Sequence, residues 1–227
     1  MIYVVSDLHG CYEKYQNLLK TVSLGDVDTL YVLGDVIDRG DGGIEILFDM
    51  RSRPNVRPLI GNHESLALGA MKRILRDSLD ERAVSKTKAG VLWRMSDGEP
   101  TIQAFCALTR DRQQAIVDYI ESFGIYEELT VNSRKFHLSH TLPSYDPAIP
   151  IHDVTFLEFL FGEVDYTKVY ASDTLFVTGH TPTGLIDPAS AGRIWRGNHH
   201  IAIDCGAVFG HPLGCLCLDT LEEIYIE

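Results

Sequence analysis

The chain has 227 residues, 45% of them hydrophobic, and a formal net charge of -12 at pH 7. That hydrophobic content is ample for a packed core and excludes an intrinsically disordered chain. The acidic balance argues against non-specific binding to nucleic acid or to an anionic membrane.

The elements follow in chain order. A first strand, Ile2–Val5, is entered with no basic and apolar leader before it, so a secretory signal is not expected. Tyr12, Tyr15, Leu18, Leu19 and Val22 recur at helical spacing. Leu30–Leu33 is a second strand, and Asp41 is a candidate cap for a helix carrying Ile44, Leu47 and Phe48. Val56–Ile60 is a third strand. This β-α-β-α-β opening calls for parallel strands with right-handed crossovers.

From Ser65 to about Gly124 the pattern turns helical. Leu68, Met71, Ile74, Leu75 and Leu79 form one stripe, and Ile116, Val117, Ile120 and Phe123 another. Gly90 to Pro100, with Trp93 and Asp97-Gly98, is expected to be a loop between them. No Pro/Gly/Ser-rich linker flanks this stretch, so it is expected to be a helical insertion (about 65–124) within a single domain (1–227), although length alone also permits two domains. The second half is strand-rich. Strands are expected at Ile125–Val131, Lys135–Ser139, Thr174–Thr178, His200–Asp204, Gly214–Leu218 and Glu222–Ile226, with a short helix from about Val154 to Phe161. The last strands are expected to pair antiparallel through tight turns.

Five cysteines, Cys11, Cys106, Cys205, Cys215 and Cys217, form no Cys-x-x-Cys pair. Neither a disulfide framework nor a zinc ribbon is expected, and reduced thiols in the cytoplasm are the default. No apolar stretch approaches the ~20 residues that span a bilayer.

Five of the apolar runs end at a small residue and lead at once to a metal-ligand residue. Val5 leads through Ser6 to Asp7, Leu33 through Gly34 to Asp35, and Ile60 through Gly61 to Asn62. Leu138 leads through Ser139 to His140, and Val177 through Thr178-Gly179 to His180. Taken singly, each is ordinary turn chemistry. Five together at strand ends suggest one metal-centred site, because ligands in open α/β sheets gather outside the carboxyl ends of the strands.

The motifs are Asp7-x-His9, Gly34-Asp35-x-x-Asp38-Arg39-Gly40, Gly61-Asn62-His63-Glu64, His140 and Gly179-His180-Thr181-Pro182. Asp7 and His9, two apart on a loop, can face one metal. Two divalent cations about 3.5–4 Å apart can clamp both ends of an in-line phosphoryl displacement and activate a water as nucleophile. Asp, His and Asn ligands without thiolates favour Mn²⁺, Fe or Zn²⁺ over soft metals. His63 is the candidate proton donor to the leaving group. Asp38 is the candidate that orients it. Arg39 offers a planar fork for phosphate oxygens.

In this order the motifs resemble the phosphoprotein phosphatase family of metallophosphoesterases, in its branch of bacterial serine/threonine protein phosphatases and symmetrical diadenosine tetraphosphatases. The resemblance runs from Asp7 to the Asp204-Cys205-Gly206 loop. It implies a central β-sandwich flanked by helices, an α/β fold with α+β character. It also implies two divalent ions, usually Mn²⁺ and alternatively Fe/Zn, and hydrolysis of a phosphoester by attack of a metal-activated hydroxide. Asp7 and His9 would bind the first ion, Asp35 would bridge, and Asn62, His140 and His180 would complete the second. His63 would be the general acid supported by Asp38, and Arg39 would hold phosphate, with the Asn62 amide beside it.

The substrate it implies is a phosphorylated serine or threonine of a protein. The alternatives are a dinucleoside polyphosphate cut symmetrically, or, more distantly, a phosphorylated ligand bound without turnover. Two departures bear on substrate. Glu163 stands about where many relatives carry a second phosphate-binding Arg, with Arg94, Arg193 and Arg196 as replacements to consider, and Thr141-Leu142-Pro143 follows His140 where many protein phosphatases have Ala-Gly. Outside the motifs, Glu64 is expected to support the helix start and His137 to face away from His140. His152, His199 and His200 are expected at the surface. His211 follows a glycine-bounded loop, Gly206–Gly210, that is expected to overhang the site, and Trp93 is expected either to pack the insertion on the core or to line a groove.

Overall fold

The computed structural model describes residues 1–146 and 148–227, with the side chain of His152 outside the described set. In the first half, β1 (Ile2–Val5), α1 (Tyr12–Thr21), β2 (Thr29–Leu33), α2 (Gly43–Arg51) and β3 (Val56–Leu59) alternate. The three strands are parallel, β1 beside β2 and β2 beside β3. Helix α2 is capped at Gly42, one residue beyond Asp41 and without a side chain to cap with.

Five helices follow: α3 (Asn62–Asp77), α4 (Glu81–Val84), α5 (Lys88–Met95), α6 (Glu99–Cys106) and α7 (Arg110–Glu121). The stretch expected as a loop around Trp93 is therefore mostly helix, broken at Ser96–Gly98. Thr87 caps α5 by accepting the N–H of Gly90, a local signal that the glycine and Asp97-Gly98 outweighed in the sequence. The helical stretch returns beside its point of departure, where Ile60 donates to the Gly124 carbonyl at 2.8 Å.

The second half holds β4 (Tyr126–Val131), β5 (Arg134–Ser139), α8 (Glu158–Phe161), β6 (Thr174–Thr178), α9 (Thr183–Ile186), β7 (Trp195–Gly197), β8 (His200–Ala202), β9 (Leu213–Cys217) and β10 (Glu223–Ile226). The helix expected from Val154 is confined to α8, after a 3₁₀ turn at Ile151–Asp153. Two five-stranded sheets result, ordered β10-β9-β1-β2-β3 and β4-β5-β6-β8-β7. The last two strands, β9 and β10, pair antiparallel as expected. The expectation does not extend to β8 and is corrected there. β8 lies parallel to β6, and β9 crosses into the other sheet to pair antiparallel with β1.

Alternation along the strands explains the layers. Val4, Tyr31 and Leu33 point between the sheets, where they meet Phe136, Leu138, Val177 and Ile201. Val5, Leu30 and Val32 point the other way, into the core beneath α1, α2, α3 and α7. A β-sandwich flanked by helices follows, because β1 and β2 bury both faces. Among the described residues no helix is long and apolar enough to cross a membrane.

Candidate metal centre

Six residues of the strand-end loops hold positive φ: Asp7 (50°), His9 (40°), Asp35 (52°), Asp38 (72°), Arg39 (64°) and His180 (68°). Such conformations of residues other than glycine cost of the order of 1 kcal/mol each and persist only where the surroundings impose them. Here the loops brace one another. Asp7 donates its backbone N–H to the Gly34 carbonyl at 3.1 Å and His9 to that of Asp35 at 2.9 Å, while Gly179 donates to that of His140 at 3.0 Å. Gly34, at φ 80°, leaves no room for a side chain. A Cβ there would lie 2.6 Å from the Gly61 Cα and 2.9 Å from the His140 Nδ1.

Asp35 sits between two clusters. Its Oδ1 is 3.5 Å from the Nε2 of His140. Its Oδ2 is 3.6 Å from the Nε2 of His9 and 3.8 Å from the Nε2 of His63. On the Oδ1 side, the His140 Nε2 lies 2.9 Å from the Asn62 Oδ1 and 3.1 Å from the His180 Nδ1, and the latter two atoms are 3.1 Å apart. The ring of His140 is oriented by its other nitrogen, which donates to the Leu33 carbonyl at 2.7 Å. Its Nε2 therefore presents a lone pair to an amide oxygen and a second imidazole. On the Oδ2 side, the His9 Nδ1 donates to the Ile37 carbonyl at 3.0 Å, and its Nε2 lies 4.0 Å from the Asp7 Oδ1. Acceptors facing acceptors in a buried site are the chemistry of a cation cradle. An imidazole whose second nitrogen is anchored on a carbonyl, as in His9 and His140, is oriented as metal-binding histidines usually are.

The electrostatics agree with that donor set. Burial pushes Asp7 up to about 6, with the Asp35 charge adding to the rise, and burial likewise pushes Asp35 up to about 6. Burial, then the charge of Arg39, lowers His9 to about 2, and burial with the charge of His140 lowers His180 to about 3. These imidazoles are held neutral, with lone pairs available, beside carboxylates that a cation would return to their ionised state. The residues fit a dinuclear divalent centre.

His63 differs. Its Nδ1 donates to the Asp38 Oδ2 at 2.8 Å. Against the lowering effect of burial, this bond and the charge of Asp35 raise His63 to about 9. It lies within ligand distance of His9 and Asp35, and the Asp38 carboxylate on its other nitrogen favours the charged, proton-donating form of the ring. Arg39 is partly exposed, donates Nη1 to the His9 Nε2 at 2.7 Å, and lies over the Phe209 ring at 5.2 Å. In this position it occupies the lone pair that a metal ion would take.

Two supports were not foreseen in their full role. Glu64 is completely buried and accepts four backbone N–H groups, from Asp35, Val36, Ile37 and Gly61. Burial pushes it up to about 7, while the four donors favour its ionised form. Trp93 is completely buried and donates its indole N–H to Asp38, so it lines no groove. The bond from Gly61 is the helix-start support expected of Glu64, whereas its reach to the Asp35–Ile37 backbone and the indole bond to Asp38 leave no local signal in the chain.

Other expectations resolve as follows. His137 packs between Tyr126, Phe159 and Phe176 on the far side of its strand. His199 is exposed, but His200 is buried, with its Nε2 2.8 Å from the Thr178 Oγ1, because β8 places it inside an aromatic cluster with Tyr166 and Tyr170. Glu163 is exposed. The three arginines considered as its replacement are engaged elsewhere: Arg94 with Glu81 and Glu99, Arg193 over Tyr225, and Arg196 with Glu223. His211 lines a small apolar cavity with Pro182, Cys205, Gly206 and Phe209.

A family model described as calcineurin-like phosphoesterase matches residues 1–212. Over 84 residues the chain is 40% identical to a symmetrical bis(5'-nucleosyl)-tetraphosphatase of Aggregatibacter actinomycetemcomitans, covering 34% of this chain and 30% of that protein. It is 39% identical over 84 residues to the protein of that name from Pasteurella multocida, again covering 34% and 30%. The matched stretch thus spans about a third of the length of these curated relatives. Among solved structures, a protein serine/threonine phosphatase from Saccharomyces cerevisiae superposes with a TM-score of 0.65 at 13% identity, covering 100% of this chain and 79% of that one. A candidate diadenosine tetraphosphatase superposes with a TM-score of 0.69 at 16% identity, covering 99% and 92%. At these identities the structural likeness concerns the fold.

Proposed function

The chain belongs to the calcineurin-like phosphoesterases, whose model it matches over residues 1–212, and on that premise we propose that it hydrolyses phosphoesters with two divalent metal ions. One observation carries the reading: the two oxygens of Asp35 face two separate sets of nitrogen and oxygen ligands. Asp7, His9 and Asp35 would hold one ion, and Asp35, Asn62, His140 and His180 the other. Bound there, the ions supply charge neutralisation and a water of lowered pKa for in-line attack on phosphorus. The ligand types suit Mn²⁺, with Fe or Zn²⁺ as substitutes.

The chain's own residues do the rest. His63 keeps a proton in a buried site and gives it to the leaving oxygen. Asp38 fixes its tautomer and orientation by taking the Nδ1–H, and Arg39 turns its fork from His9 to the phosphate oxygens. The 227 residues act as one domain, with the helices of 65–124 as an insertion that walls one side of the site. A cytoplasmic location suits the five cysteines, all of which are free thiols.

As substrate we propose a phosphoserine or phosphothreonine of a protein. A second reading, symmetrical cleavage of a dinucleoside tetraphosphate, is favoured by the curated relatives at 39–40% identity. The test is Mn²⁺-dependent hydrolysis of p-nitrophenyl phosphate, then of a phosphopeptide and of diadenosine tetraphosphate with product analysis. No turnover with any of the three metals would sink the hydrolase reading. Cleavage of the dinucleotide to two diphosphates, without release of phosphate from the peptide, would replace the first substrate with the second.

A further inference from the structure

Asp38 is completely buried, and its carboxylate is gripped from two directions. His63 donates Nδ1–H to Oδ2 at 2.8 Å. The indole of Trp93, 55 residues away in the chain, donates Nε1–H to Oδ1 at 2.9 Å and to Oδ2 at 3.1 Å. The same helical segment also holds the backbone of this loop. Asp38 donates its N–H to the Thr101 Oγ1 at 2.9 Å, and Arg39 donates its N–H to the Asp97 carbonyl at 2.9 Å. Both residues have positive φ, so these bonds fix a conformation the loop would leave on its own. Gly98 presses on the indole: a Cβ there would lie 2.5 Å from the Trp93 Nε1. The turn between α5 and α6 is thus shaped to aim the ring at Asp38.

We propose that Trp93 is a positioning residue, whose indole N–H keeps the Asp38 carboxylate turned toward His63, so that the helical insertion governs protonation of the leaving group. The inference rests on the reading of His63 as proton donor. A buried carboxylate that loses one donor turns to find another, since an unsatisfied acceptor is costly. His63 then loses the partner that fixes its tautomer and aims its Nε2–H. The cost falls on leaving groups that need a proton and spares those that depart as stable anions.

The test compares wild type, Trp93→Phe, His63→Asn and the double variant, with Mn²⁺, on phenyl phosphate and p-nitrophenyl phosphate. The phenylalanine keeps a ring in the core and removes the donor together with the smaller ring of the indole. The cavity this leaves lowers stability but does not distinguish the two leaving groups. Trp93→Phe should lower kcat on phenyl phosphate by about ten-fold and on p-nitrophenyl phosphate by less than about two-fold, with KM unchanged. In the His63→Asn background it should cause no further loss. A readout independent of turnover is the hydrogen-bonded His63 Nδ1–H in the proton spectrum of the metal-free protein, present in wild type and broadened or lost in Trp93→Phe. Should Trp93→Phe fail to fold, Gly98→Ala, which crowds the indole from the other side, should give the same differential loss.

Equal losses on the two substrates, an unchanged Nδ1–H signal, or an additional loss in the His63→Asn background would overturn the proposal. A differential loss in His63→Asn beside an unaffected Trp93→Phe overturns this inference alone. Full phenyl phosphate turnover by His63→Asn overturns the proton-donor reading and this inference with it.

Discussion

The side chain of Glu64 receives the backbone N–H of Asp35 at 2.8 Å. That bond, with those from Val36, Ile37 and Gly61, ties the first turn of α3 to the loop after β2. One carboxylate therefore sets the distance between the two loops that carry Asp35 and Asn62.

Glu64→Gln should separate this role from that of a ligand. The carboxamide offers one acceptor oxygen and turns an NH₂ group toward N–H donors. Losing charge-assisted bonds in a buried site should cost about 2–4 kcal/mol, a fall in Tm of roughly 5–15 °C at ~2–4 °C per kcal/mol for a chain of this size. Thermal unfolding of the metal-free variant reads this directly. A Tm equal to that of wild type would mean that the four bonds do not hold the loop.

Asp35→Asn and His180→Ala should differ in metal content. Removing the carboxylate shared by both clusters should take bound Mn²⁺ from two ions per chain toward zero, whereas removing a ligand of one cluster should leave about one. Equilibrium dialysis with elemental analysis counts the ions. Burial raises Asp35 above its ordinary value, so its ionised form is disfavoured by folding. Its effect on stability is most favourable below the unfolded carboxylate range and is lost as pH rises through about 6. Metal-free Asp35→Asn should therefore unfold at a higher temperature than metal-free wild type at pH 7. Two ions bound by Asp35→Asn would refute the bridging role.

His63→Asn should lower kcat on an unactivated phosphoester by about 10²- to 10⁴-fold, with little change in KM. Its raised value, about 9, places the proton-donating form below that pH. Wild-type turnover should accordingly fall as pH rises through the titration of His63, and this alkaline limb should be missing from the variant. An identical limb in both proteins would assign it to another group.

His200 gives a pH dependence away from the metals. Burial, then the charge of His137, lowers it to about 3. Its folded value lies below the unfolded one, so the stability of the neutral form is complete above about pH 6.5 and is lost as pH falls toward 3. The limiting slope is ~1.4 kcal/mol per pH unit for one proton. Unfolding temperatures of metal-free wild type and His200→Gln between pH 7.5 and 5 should converge as the pH falls. A constant difference across that range would show that His200 does not titrate on unfolding.

The strand-end carboxylates and imidazoles that the structure brings together were legible because their signal is local. A buried strand shows as an apolar run, and a candidate ligand held by the turn that ends it follows within one to four residues, as at Asp7, His9, Asp35 and His180. The strand β7 was not, since Trp195–Gly197 is three residues long with Arg196 in its middle. The pairing of β8 and β9 was misjudged because closeness in sequence does not say to which sheet a strand belongs.

By itself the sequence determined the chemistry on offer: which carboxylates, imidazoles and amide stand at strand ends, and that strands of alternating burial must stack as layers. Only the tertiary structure decided how those groups divide. Asp35 faces both clusters because the two sheets bring the carboxyl ends of β1, β2, β5 and β6 together. His63 is raised above its ordinary value while His9 and His180 are lowered, because the Asp38 carboxylate pairs with the first alone. Trp93 reaches Asp38, and Glu64 the loop of Asp35, across 55 and 29 residues of chain. Hydrogen bonds of that span form between elements that packing has already brought together, so no periodicity or spacing along the chain encodes them.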